Sequence, residues 1–191
     1  MSVRDIVTIG DPLLRIRARD VTPEELRSPA VQRLIDDLID TRRSANGAGL
    51  AANQVGETVR IAIAEVDGTN PRYPYKPPIP LTVMVNPSIE PAGDETMEIN
   101  EGCLSVPGLR GYLERHAQVR VRYLDRDGNE REEVKSGLTA GTFQHEVDHL
   151  DGVLFVDRAD PRTLATWDEY DRHQRAQFEE RARAIVARYG S

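Results

Sequence analysis

In Leu138–Leu150, LTAGTFQHEVDHL, two histidines stand four residues apart and a glutamate directly follows the first. The segment reads as a helix, and Gly152 marks its stop. On a helix, residues i and i+4 share a face, so His145 and His149 can turn two imidazoles toward one ion. Glu146 is rotated off that pair, yet near enough to reach a water between them. The alternative is a wet helix face with three ordinary polar residues, because short motifs of this kind also occur by chance.

Outward from this helix the chain alternates short strands with turn signals. The stretch QVRVRYLDRDGNEREEV, residues 118–134, reads as a hairpin turned at Asp127-Gly128. Residues 101–111, EGCLSVPGLRG, are rich in glycine and proline and are expected to interrupt the sheet. A strand is expected from Val59 to Val66, and another through LTVMV to Asn86-Pro87. Between them PRYPYKPPIP, residues 71–80, is expected to be a surface loop. Near the start, GDPLLRIRA reads as an irregular arm. Thr22, Pro23 and Glu25 then form a capping signature before a long amphipathic helix with Val31, Leu34, Ile35, Leu38 and Ile39 on one face, ended by Asn46-Gly47. Asp160-Pro161 opens a last helical region whose thin apolar stripe (Leu164, Trp167, Phe178, Ile185, Val186) suggests loose docking on the outside.

Strands with a few helices set apart predict an α+β fold. It has short-stranded antiparallel or mixed sheets around a central helix carrying the histidines, a long N-terminal helix and a C-terminal helix. One catalytic domain is expected over 1–191, with about 161–191 a peripheral helical tail. The 191 residues carry 39% hydrophobic and 30% charged side chains, which suits a globular protein. No apolar run is long enough for a bilayer span, and the N-terminus lacks a signal-peptide pattern, so a cytoplasmic protein is expected. A net charge of −7 argues against tight nucleic-acid binding.

A hydrolytic metal site needs a third protein ligand and an open position. A third histidine six residues past His149 is absent, since Phe155 stands there. Glu169 in WDEYD is one candidate. Cys103, the single cysteine, is another; a thiolate binds iron, zinc or cobalt well, although a lone cysteine also serves as a small buried hydrophobe. The residues alone leave the choice open. A further segment, GAGLAANQ from Gly47 to Gln54, allows a close backbone approach and ends in a side-chain amide.

With GAGLAANQ, EGCLSVP and QHEVDH in that order, the chain resembles the peptide deformylases. The resemblance implies hydrolysis of the N-formyl group from the formyl-methionine that begins new polypeptides, releasing formate. It implies a divalent ion on Cys103, His145 and His149, natively Fe²⁺, with Zn²⁺, Ni²⁺ or Co²⁺ as substitutes. It implies Glu146 as general base and acid, with the Gln54 side chain and the Leu104 N–H stabilising the oxyanion. It places Ile99, Leu138, Gly141 and Thr142 about the methionine side chain, Gly47 and Gly49 beside the peptide backbone, and nascent chains at the ribosome among the partners. Gly141 departs from the larger residue usual there and is expected to widen the side-chain pocket. Two other readings remain: a metallopeptidase using Glu169, and a metal-binding or ribosome-docking protein without catalysis, which would not need Glu146.

Overall fold

The computed structural model describes residues 2–68, 70 and 72–191. Pro71, the first residue of the proline-rich stretch, lies outside them. The elements begin with α1 (Pro23–Arg27) and α2 (Pro29–Ser44), followed by β1 (Gly49–Ala51), β2 (Ile61–Val66) and β3 (Ile79–Pro91). Then come β4 (Thr96–Cys103), β5 (Val106–His116), β6 (Gln118–Leu124), β7 (Glu130–Ser136) and α3 (Gly137–Leu150). The chain closes with β8 (Ala165–Thr166), α4 (Trp167–His173) and α5 (Arg175–Tyr189). Among the described residues the strands form two antiparallel sheets, in the orders β1-β2-β3-β6-β7 and β4-β5-β8.

The alternation in β2 shows how the larger sheet is covered. Ile61 and Ile63 pack with Leu34, Ile35 and Leu38 of α2. Ala62 and Ala64, pointing the other way, pack with Ala140, Phe143 and Leu150 of α3. The small alanines let α3 approach closely, so the sheet lies between the long N-terminal helix and the helix that carries the histidines. The other side of α3 faces the smaller sheet: Leu138 shares a cluster with Met97 and Ile99 of β4.

Several local expectations change. The capping box forms, with Thr22 Oγ1 accepting from Glu25 N and Glu25 accepting from Thr22 N. The helix it starts is only α1, because Pro29 opens a second helix capped by Ser28. The opening arm contains a 3-10 turn, Pro12–Arg15, with Leu14 fully buried. The strand expected to stop at Asn86-Pro87 runs on to Pro91 through an irregularity. There Asn86 takes φ 52° while its side chain holds Val21 N and O at 2.8 Å each. EGCLSVPGLRG does not interrupt a sheet; it is the tight hairpin end that joins β4 to β5.

The C-terminal helices do not dock loosely. Tyr170, Phe178 and Ala182 are essentially inaccessible to solvent, and the Phe178 ring meets Tyr75 edge-on at 5.1 Å and Tyr112 at 6.0 Å. Leu138 N, at the start of α3, donates to Ser191 O at 3.0 Å. Phe178→Ala is therefore expected to lower unfolding free energy by about 3–5 kcal/mol in a denaturant titration. A loosely attached tail would instead give a change within about 0.5 kcal/mol.

Candidate metal centre

Helix α3 has to bring its last two turns against the β4 hairpin end, and three contacts hold it there. Asn53, fully buried, donates from Nδ2 to the His149 carbonyl. Gln144 Oε1 accepts from His116 N at 3.1 Å, and its Nε2 donates to His116 O at 2.9 Å, locking the helix to the end of β5. Arg115 on β5 reaches Asp148 on α3. With the helix seated, Cys103 Sγ lies 3.2 Å from His149 Nε2, which lies 3.2 Å from His145 Nε2.

These three ligand atoms all fall within 4.8 Å of one another. An ion bonded at about 2.1 Å to nitrogen and about 2.3 Å to sulfur needs tetrahedral donors roughly 3.4–3.6 Å apart. The two separations from His149 Nε2, 3.2 Å each, are slightly tighter, the third falls within 4.8 Å, and the sulfur-plus-imidazole set suits iron, zinc or cobalt. The donors therefore fit one divalent ion. Glu169 does not take part; it lies exposed on α4 and pairs with Arg172 and His173.

Glu101 and Arg115 were not legible as site residues in the sequence. His145 Nδ1 donates to Glu101 Oε2 at 2.7 Å, which leaves Nε2 as the free ring nitrogen. Arg115 grips the same carboxylate at 2.8 and 3.0 Å and also holds Asp148, which Arg158 holds from outside. Burial alone would raise the Glu101 carboxyl, but Arg115 and His145 outweigh it and keep it well below the usual carboxylate range. Burial also disfavours charge on His145, yet Glu101 and Cys103 hold it well above its ordinary value. His149 is pushed well below its ordinary value by burial and by the neighbouring His145. The only sequence signal for this network was that Glu101 precedes Gly102-Cys103 and Asp148 sits inside QHEVDH.

Glu146 is 3% exposed, and its Oε2 has no hydrogen-bond partner. Burial raises its carboxyl to about 7 despite His145 and Lys76. Beside it, Gln54 accepts Ala51 N on Oε1 at 2.9 Å and donates from Nε2 to Ser105 Oγ at 3.0 Å and Cys103 Sγ at 3.6 Å. The amide is thus oriented with its N–H side toward the sulfur, not exposed at the end of a turn.

One cavity opens onto these groups. Gly47, Gly49, Gln54, Ile99, Cys103, Leu104, Leu138, Gly141, Thr142, His145 and Glu146 all line it, and His149 sits behind it. Tyr73, Tyr75 and Lys76 line it too, so the described part of the proline-rich stretch borders the cleft rather than filling plain surface. Phe178 and Arg110 complete the wall. A Cβ at Gly141 would stand 2.7 Å from Ile99 Cδ1, so Ile99 lies in the room that a larger side chain at this position would need.

Comparison with known proteins agrees over most of the chain. Residues 3–165 match the family model described as polypeptide deformylase. A peptide deformylase of Leptospira biflexa is 40% identical over 169 residues, covering 88% of this chain and 94% of that protein. Peptide deformylase 2 of Nostoc is 45% identical over 166 residues, covering 86% and 91%. Among solved structures, a Met-Ala-Ser complex of the class I type b peptide deformylase of Acinetobacter baumannii superposes with a TM-score of 0.79 at 41% identity, covering 82% of this chain and 98% of that one. An actinonin complex of a Synechococcus elongatus peptide deformylase gives 0.73 at 32% identity and covers 98% and 86%, the C-terminal helices included. The chain belongs to the polypeptide deformylase family.

Proposed function

We propose that this protein hydrolyses the N-formyl group of peptides beginning with formyl-methionine, nascent chains among them, in a metal-dependent reaction. The observation that carries the reading is a buried carboxylate with a free oxygen, Glu146, beside three converging ligand atoms. Cys103, His145 and His149 would hold a divalent ion, which supplies Lewis acidity to the formyl oxygen and to water. Fe²⁺ is the natural candidate, with Zn²⁺, Ni²⁺ or Co²⁺ able to occupy the same donors.

Glu146 accepts a proton from the attacking water as its oxygen bonds to the formyl carbon. Negative charge then grows on the formyl oxygen, to which the Gln54 amide and the Leu104 N–H would donate. As the carbon–nitrogen bond breaks, Glu146 returns the proton to the departing amine, leaving formate and a free N-terminus. Glu101 and Arg115 act through His145, fixing its ring so that Nε2 faces Cys103 and His149. Gly47 and Gly49 present bare backbone along the cleft, against which an extended peptide can lie.

The direct test is formate release from formyl-Met-Ala-Ser by protein of measured metal content. Turnover that depends on the metal supports the reading; tight metal binding with no formate favours the non-catalytic alternative. Gly49 offers a second check. A Cβ there would fall well inside van der Waals contact with Glu146 Oε1 and displace the carboxylate. Gly49→Ala is expected to lower kcat/KM by about a hundredfold while metal content stays unchanged. An unaltered kcat/KM would remove Glu146 from proton transfer to and from the substrate.

A further inference from the structure

Lys76 is the one charged side chain that the proline-rich stretch sends into the cleft. Its Nζ donates to Thr142 Oγ1 at 2.8 Å and lies 4.9 Å from the centre of the Tyr73 ring. Thr142 Oγ1 in turn donates to the Leu138 carbonyl at 3.2 Å, so the hydroxyl is fixed as an acceptor toward the lysine. Among the described residues no carboxylate forms an ion pair with Lys76. Burial is the main influence on the ammonium and lowers it to about 8. An ammonium has three donors, and one is spent on Thr142.

These residues flank Leu138 and Gly141, where the first side chain of a formyl peptide is placed by the deformylase reading, on which the inference rests. A thioether sulfur is a weak acceptor and leaves such a cation poorly solvated, whereas a sulfoxide oxygen accepts a charge-assisted hydrogen bond. We propose that Lys76 and Thr142 form a polar end to the first-residue pocket that favours a side chain of methionine length ending in an acceptor oxygen, methionine sulfoxide over methionine. Hydrogen peroxide supplies that substrate when it transfers one oxygen to the thioether of a formyl-methionyl peptide and leaves water.

The test is the ratio of kcat/KM for formyl-Met(sulfoxide)-Ala-Ser to that for formyl-Met-Ala-Ser, measured on zinc- or nickel-loaded enzyme. The ratio cancels any loss of folded or metal-loaded protein. It is expected to exceed one in the wild type, to fall about tenfold in Lys76→Met, equivalent to about 1.4 kcal/mol, and to be largely kept in Lys76→Arg, which retains donors. The same ratio in wild type and Lys76→Met would overturn the assignment. Failure of the deformylase reading looks different: folded, metal-loaded wild type would release formate from neither peptide, and both proposals would fall.

Discussion

Glu146→Gln is expected to leave a folded protein that binds its metal but releases formate from formyl-Met-Ala-Ser about 10²–10⁴-fold more slowly. The carboxylate is not among the three ligand atoms, so metal content should match the wild type. Glutamine has nearly the same shape, and Oε2 makes no hydrogen bond whose loss would disturb the fold. What disappears is a group able to take a proton from water and give it back to the amine. The loss should therefore appear in kcat, with KM little changed, because in the proposed reaction the cleft walls and not Glu146 would hold the peptide. If Glu146→Gln turned over formyl-Met-Ala-Ser at the wild-type rate, proton transfer would have to be assigned to another group.

The second large effect separates the two ligand sets. Cys103→Ala is expected to abolish stoichiometric metal binding and, with it, more than about 99% of formate release, because two imidazoles alone hold a divalent ion weakly. Glu169→Ala is expected to change neither, since that side chain is exposed and engaged with Arg172 and His173. The opposite pattern, a mild Cys103→Ala and a metal-free Glu169→Ala, would support the metallopeptidase alternative. Metal analysis and formate release on the same samples decide between them. His149→Ala belongs with Cys103→Ala, for it removes the ring that stands between the other two ligands.

Local signals were legible in the sequence. Helical spacing exposed the face shared by His145 and His149, Asp127-Gly128 marked the β6–β7 turn, and Thr22 with Glu25 formed the cap they suggest. Each depends on residues close in sequence. What was missed depends on distant partners. Glu101 and Arg115 are 14 residues apart and meet only because β4 pairs with β5. The C-terminal stripe looked too thin for firm packing because its partners, Tyr75, Tyr112 and Met97, come from other parts of the chain. Of the described part of the proline-rich stretch, residues 72–78 form neither helix nor strand, whereas Ile79 and Pro80, expected to be loop, open β3; the composition says nothing about which way Tyr73 and Lys76 face. Gly141 could not be judged from its own helix, because Ile99 on β4 fills its space.

The proposed chemistry requires a single ion held jointly by one sulfur and two imidazole nitrogens. X-ray absorption at the zinc edge of the zinc-loaded protein reads those neighbours directly. One sulfur at about 2.3 Å, with two imidazole nitrogens at about 2.0–2.1 Å, is the predicted set of protein ligands. A shell of nitrogen and oxygen alone, with sulfur missing in a protein whose Cys103 is reduced, would contradict it.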